Sequence, residues 1–492
     1  MIFQNNATPK TTTFTGAGKL GIAPASGSTF ATALSTSTYS FASTLTGLSL
    51  GASSSTSVLT VNSDLTIAGP ISLYGAGVAI NNNVQSTAAG ATVLAKSTGN
   101  ITLEASKSII TNGGDITLWA DSDASGAGAI LIKNTATLDS RTAADRLANT
   151  HTTGGGAITL AGGLDDGGVA SGSSTLITGL TANDGRPDGY AVNYGGTGIQ
   201  YGIMLGTELI NGAQNANIKL YSGGGDVRLQ GLVTTVVGNG GNGPTGLIAY
   251  QGLNMDAGVE GDLRLLGSAD VSTQYPIGID LQAWRNTSGV SSTLRTQNGD
   301  IQIVGRSVGA TNSGVGLSVL AQDTTRRMVI AATGTGSVTI DGKATGASPT
   351  DFAVSSVDVL AASGDIHLTG QNSGLLFRNW PAADTNYVGS YATGLVQSSS
   401  ANIYFDGNKL DFSSPVAVKT TGAVYVEPFG TTFSAPVSLP SNFTVNASAT
   451  GFTLGKTTNT ANITQASALT INGPISIYGG NITLNAALAT TN

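Results

Sequence analysis

One short phrase recurs along this chain: a glycine, a small or acidic polar residue, then apolar, polar, apolar. It reads GNITL from Gly99, GDITL from Gly114, GAITL from Gly156, GDVRL from Gly225 and GDLRL from Gly261. It returns as GDIQI from Gly299, GSVTI from Gly336, GDIHL from Gly364 and GNITL from Gly480. Alternation of period two is the pattern of a strand with one buried face, and the glycine ahead of it marks a turn. The glycine is expected to supply a positive φ there, and the Asp or Asn after it to cap the turn with its own side chain. A second phrase lies between the copies: GIML from Gly202, GLIAY from Gly246, GIDL from Gly278, GLSVL from Gly316 and GLLF from Gly374. Interleaved, the two series place glycines at 202, 225, 246, 261, 278, 299, 316 and 336, an average step of about 19 residues.

No helical pattern of useful length separates these phrases, so folds built from βαβ units are excluded. Immunoglobulin-like modules need about 100 residues each, far more than the repeat. The spacing predicts an all-β chain: an elongated parallel β-helix, a solenoid with coils of about 19 residues and loop excursions. Ile116, Leu118, Ile158, Leu160, Val227, Leu229, Leu263, Leu265, Ile301, Ile303, Val338, Ile340, Ile366 and Leu368 should point inward and stack from coil to coil. Thr117, Thr159, Arg228, Arg264, Gln302, Thr339 and His367, between them, should face water. Residues 120–225 and 380–425 are less regular. DDGGVASGSS from Asp165 and ANDGRPDGY from Ala182 read as loops that leave the coils.

A longer period is also present. Residues 452–485 align without a gap on residues 48–81, with Leu454 on Leu50, Gly473 on Gly69, Pro474 on Pro70 and Tyr478 on Tyr74, an offset of 404. The match continues upstream, where GAVYVEPFGTTFSAPV from Gly422 parallels the stretch from Gly16 with one-residue slips. The chain therefore reads as opening coils of a module over 1–95, a central β-helix with excursions over 96–420, and the start of the next copy over 421–492. Adjacent modules of the same protein are the expected neighbours.

Of the 492 residues, 69 are Gly and only 10% are charged, well below the roughly 25% of ordinary globular domains, yet 40% are hydrophobic. Between Lys19 and Lys96 the only charged side chain is Asp64. That balance fits stacked strands with tight turns and not a charge-solvated disordered chain. A net charge of −7 leaves no basic patch for phosphates, so nucleic acid is not an expected partner. With no cysteine there is no disulfide, thiolate metal site or cysteine nucleophile. No apolar run approaches the roughly 18 residues of a membrane span, so this segment is not expected to insert in a membrane.

Together the GDITL-type phrases, the short coil, the missing cysteines and the Gly/Ser/Thr/Asn/Ala bias resemble the filamentous haemagglutinin-like exoproteins, giant repetitive adhesins of Gram-negative bacteria. The resemblance covers about residues 45–370 and 450–492. It implies a right-handed β-helix, an extracellular or bacterial cell-surface location, export in an unfolded state and a role in attachment. The Asn-Pro-Asn triplets of the family's secretion domain do not occur in this chain.

Candidate sites are sparse, and no cofactor is expected. β-helical glycan-cleaving enzymes cluster carboxylates on one face. Asp165–Asp166 and the Asp184-Gly-Arg186-Pro-Asp188 loop are the nearest match, but they equally suit ordinary turn chemistry. Asp121-Ser-Asp123-Ala-Ser125-Gly126 opens like a calcium loop, with Ile132 where the bidentate Glu should stand. His151 and His367 are far apart in sequence. For a binding surface the candidates are the aromatics Trp119, Trp284 and Tyr250 and the arginines Arg228 and Arg264, facing glycans or neighbouring rods. Trp380, beside Pro381, reads as structural, and Arg326–Arg327, behind an acidic turn at Asp323, as a solvated face. The leading expectation is a structural and adhesive segment without catalysis. The alternative is a subunit of a self-assembling filament or sheath, and the third is a β-helical enzyme acting on polysaccharide.

Overall fold

The computed structural model describes residues 2–4, 12–25, 29–30, 33–168, 180–193, 200–206, 216–235, 243–250, 252–271, 275–283, 291–309, 314–321, 326–346, 349–378 and 384–491. The chain is a parallel β-helix. A 3-10 turn at Thr36–Thr38 and a short α-helix at Ala143–Ala148 are the only helical elements among the described residues. The chain divides into two compact units, Met1–Gly241 with Gly246–Arg264, and Asn242–Thr245 with Leu265–Asn492.

In the first unit each coil visits three parallel sheets. One carries Gly47–Leu50, Ile71–Gly75, Val93–Ser97, Ile116–Ala120, Ile158–Gly162 and Val227–Val233 in succession. A second carries Leu59–Val61, Val78–Ile80, Ile101–Leu103, Ile130–Ile132 and Tyr201–Leu205. The third runs from Leu65–Ile67 through Val84–Ala89, Ser108–Asn112, Thr137–Asp139 and Lys219–Tyr221 to Asn254–Asp256. The second unit repeats the plan. Its first sheet runs from Ile301–Val308 through Val338–Thr345, Ile366–Gly370, Ile403–Gly407, Ala423–Glu427 and Gly451–Leu454 to Ile475–Ile477.

All fourteen predicted inward residues are at most 1% exposed. They stack in register: Ile116 on Ile158, Ile158 on Val227, Ile301 on Val338 and Val338 on Ile366. The period-two pattern thus locates the core face without error at these positions.

The coil length differs from the expectation over much of the chain. A 19-residue coil does occur, from Leu59 to Val78 and from Leu65 to Val84. Between Ile301 and Val338, however, one coil takes 37 residues. GDIQI and GSVTI lie directly on each other there. GLSVL, between them, belongs to another sheet, where Val315–Leu320 pairs with Ile277–Gln282 and Thr350–Ser355. The two phrases are therefore two faces of one coil, and their spacing is half a turn. The remaining face, Ser292–Thr296 on Met328–Ala332, has no glycine-led phrase and left no mark on the spacing.

The glycines also act differently from the expectation. Gly114, Gly156, Gly225, Gly336 and Gly364 do not have a positive φ. A Cβ on Gly336 would lie 1.8 Å from the Gly299 carbonyl oxygen, and one on Gly364 2.2 Å from that of Gly336. Glycine is required because consecutive coils touch backbone to backbone at this corner. The Asp or Asn that follows reaches across coils instead of capping its own turn. Asp115 accepts from the Ala157 amide (2.8 Å), Asp226 from Asp262 (3.0 Å), Asp300 from Ser337 (2.8 Å) and Asp365 from Asn402 (3.1 Å). Each satisfies an amide at the entrance to the next strand, which would otherwise need water.

The 404-residue period is present in the fold. Thr12–Phe14, Lys19–Ala23, Tyr39–Phe41, Gly47–Leu50, Leu59–Val61, Leu65–Ile67 and Val78–Ile80 recur as Val416–Val418, Ala423–Glu427, Phe443–Val445, Gly451–Leu454, Ile463–Gln465, Leu469–Ile471 and Ile482–Leu484. The registers are transposed by the same amount: Leu48 on Ile71 becomes Phe452 on Ile475, and Leu59 on Val78 becomes Ile463 on Ile482. Gly51 (φ 81°) and Gly455 (φ 80°) make the same left-handed turn under Tyr74 and Tyr478.

Candidate functional surface

In the first unit the outer face of the first sheet is covered by its own excursion. Residues 163–168 and 180–190 bend back across the strands. Trp119 Nε1 donates to the Gly163 carbonyl (2.7 Å), Arg228 donates to the Pro187 carbonyl (2.5 Å), and Arg186 pairs with Asp115 (2.6 Å). Trp119 is left 5% exposed, with the Lys96 ammonium 3.2 Å from its ring centre. Burial lowers the Lys96 pKa from its ordinary value, with Asp165 acting in the opposite sense. Thr117 and Thr159, expected to face water, are buried by the same cover.

Trp119 therefore offers no free ring to a ligand, and Arg228 is held as a strap anchor. Tyr250 is also buried, at 2% exposure. Arg264 is half-buried and paired with Asp262 (2.5 Å) and Asp226 (3.7 Å). The five candidates do not converge: Trp119, Tyr250, Arg228 and Arg264 have structural partners or lie in the core, and Trp284 lies outside the described residues. Trp380 and Asp323 also lie outside them.

The carboxylates singled out for catalysis are occupied by turn hydrogen bonds. Asp165 accepts from the amides of Asp184 (3.1 Å) and Gly185 (2.8 Å), Asp166 from Gly168 (3.0 Å) and Asp188 from Gly167 (2.7 Å). In the loop that opens like a calcium site, Asp121 accepts from Ser125 Oγ, the Gly126 amide and the Ala127 amide. Among the described residues no group of three His, Asp or Glu could hold a metal ion. His151 sits edge-on to Tyr221 and 3.6 Å from Asp256.

The second unit presents a surface that the sequence reading missed. On the outer face of its first sheet, His367, Tyr404 and Tyr425 occupy one register row. Their rings stack in parallel, 4.3 Å apart for His367 and Tyr404 and 4.7 Å for Tyr404 and Tyr425. The next row outward along the strands brings Asp406 opposite Glu427, with Lys456 3.9 Å from Glu427. All five row residues are half-buried. Because each ring covers its neighbour's face, the ladder offers ring edges, phenolic hydroxyls and carboxylates, which suits hydrogen bonding more than stacking. Burial pulls the His367 pKa below its usual value, against Asp365. Burial also pushes the Asp406 pKa up to about 6; Lys456 opposes this and Glu427 adds to it. The signal was present in ANIYFDG and GAVYVEP, which repeat Tyr-x-Asp/Glu 21 residues apart.

This pair gives a pH prediction. Unfolded, Asp406 should take up its proton near pH 4, whereas in the fold it does so near pH 6. Between those values the native state binds more protons, so this group's contribution to stability falls as pH rises from 4 to 6. Asp406→Asn should remove that limb, with a difference of about 2 kcal/mol between pH 4.5 and 7. Urea midpoints of both proteins at the two pH values measure it. Parallel pH profiles for the two would contradict the assignment.

No helix among the described residues is long and apolar enough to cross a membrane. Comparison with family models, curated proteins and solved structures found no match to this chain.

Proposed function

We propose that this chain is a structural and adhesive segment of a giant extracellular repetitive surface protein of the filamentous haemagglutinin-like type, mediating attachment of a cell to other cells or surfaces. The observation that carries the reading is the return of the same strands, in the same registers, after 404 residues. Such recurrence builds length and repeated surfaces, which an attachment fibre needs and a soluble catalyst does not. The half-buried row of Tyr404, Tyr425, Asp406 and Glu427 is the surface best suited to polyhydroxylated partners such as glycans. The enzymatic reading is placed last because the carboxylates it would use are engaged in turn bonds.

The test is a gain of attachment. Residues 1–492 would be displayed on a non-adherent bacterium through an unrelated anchor. Bound cells would be counted on epithelial monolayers and on abiotic surfaces. A several-fold increase over cells displaying an unrelated β-helix of equal length is expected; equal counts on every surface would refute an adhesive role. A second reading, a subunit of a self-assembling filament, requires that the purified chain sediment as a growing series of assemblies.

A further inference from the structure

Most of the carboxylates named above serve the chain's own coils. Asp115, Asp226, Asp300 and Asp365 accept strand-entry amides, and Asp341 pairs with Arg306 (2.7 Å). Asp406 and Glu427 differ. They follow Asp341 and Thr369 along one register row of the outer face, and neither side chain accepts a hydrogen bond among the described residues. Their shared cation is Lys456, 3.9 Å from Glu427, and its ammonium is itself held by the carbonyls of Pro428 (2.7 Å) and Gly430 (3.2 Å). The row thus keeps a net negative charge at half-buried positions. Burial raises the pKa of both Asp406 and Glu427, so that charge is poorly solvated.

We infer that this face binds glycans bearing free amino groups and rejects N-acetylated and acidic ones. An ammonium seated between Asp406 and Glu427 would supply the charge that Lys456 supplies only in part. Charge-assisted bonds of this kind are roughly twice as strong as neutral ones. A hexosamine also places a hydroxyl beside its amine. Tyr404 and Tyr425 stand two residues before Asp406 and Glu427, on the same face, so a phenol accompanies each carboxylate. Burial raises the Tyr404 pKa, so its hydroxyl keeps its proton and can donate as well as accept. The rings argue against a Lys or Arg side chain from a protein partner. Such cations favour the face of an aromatic ring. Here His367, Tyr404 and Tyr425 cover one another, and Thr339 and Thr453 occupy the register positions at the two ends of the stack. Sulfated or uronic glycans would meet Asp365, Asp406 and Glu427 as like charges.

This deepens the attachment reading and rests on its choice of this row as the partner-binding surface, but the two fail separately. Attachment without oligomer binding overturns this inference alone, and oligomer binding without attachment overturns only the adhesive role. The full chain would be titrated calorimetrically at pH 7 and about 0.15 M salt. The probes are a soluble glucosamine oligomer, the same oligomer fully N-acetylated, and an oligolysine of equal length. The free-amine oligomer should bind about tenfold more tightly than the acetylated one. Asp406→Asn with Glu427→Gln keeps the side-chain shapes and removes half-buried charge, so the chain should stay folded and that difference should vanish. Lys456→Ala, which removes the competing cation, should tighten the free-amine oligomer a few-fold. Tyr404→Phe with Tyr425→Phe keeps the ring stack and should weaken the same oligomer several-fold. Equal binding of the free and acetylated oligomers would overturn the inference. So would oligolysine binding as tightly as the free-amine oligomer and losing that affinity in the Asp406→Asn/Glu427→Gln variant, since the occupant would then be a cationic protein segment.

Discussion

Val338→Asp should lower the stability of the second unit by roughly 3 kcal/mol or more, while Thr339→Asp should change it by less than about 1 kcal/mol. Val338 is fully buried and stacked between Ile301 and Ile366, so a carboxylate there is enclosed on both sides by hydrocarbon. Thr339, one residue along, lies between Gln302 and His367 on the outer face and is half-buried. The two substitutions add the same charge to adjacent residues of one strand. Only the side of the sheet differs, so the contrast isolates burial from charge. Urea denaturation of both variants measures it. Equal losses would mean that the inner and outer faces have been exchanged.

The second large effect concerns the buried pair Arg327 and Asp358, whose side chains are 6% and 3% exposed. The Arg327 guanidinium donates to both Asp358 oxygens, to Asp384 and to the Thr385 carbonyl. Removing the cation would leave two carboxylates facing each other out of water. Arg327→Leu should therefore cost about 3–5 kcal/mol. Arg327→Leu with Asp358→Leu should recover part of that loss, because an apolar pair does not have to be desolvated. A double variant less stable than the single one, in the same denaturation experiment, would contradict this account. The sequence suggested a solvated arginine pair at 326–327. It could not show that Asp358 and Asp384, 31 and 57 residues on, converge on Arg327 from the next two coils.

What the sequence reveals here depends on the range of the interaction. Alternation within one strand is local, so the fourteen inward residues named between Ile116 and Leu368 were legible. The coil length was not, because the spacing counts only glycine-led phrases, and the face at Ser292–Thr296 carries none. The corner glycines were found for the wrong reason. A strand-entry glycine suggests a positive φ, whereas the clash that forbids a Cβ comes from the backbone of the preceding coil, such as that of Gly299 beneath Gly336. Trp119 failed as a surface candidate for a related reason. Alternation does place its ring outward, but the return of residues 163–168 and 180–190 over that face has no local signature. The Tyr404–Tyr425 row was the reverse case, a periodic signal in a stretch that read as irregular.

The stacking of coils is the claim on which the rest depends, and one measurement tests it most directly. The chain has no cysteine, so paired labels can be placed without background. Pyrene on Gln302→Cys/Thr339→Cys should give strong excimer fluorescence, because those residues lie opposite each other on consecutive coils. Pyrene on Gln302→Cys/Leu320→Cys should show monomer emission, because Leu320 belongs to another sheet. A coil of about 19 residues would produce the opposite result, and excimer from the second pair but not the first would contradict the three-faced, 37-residue coil.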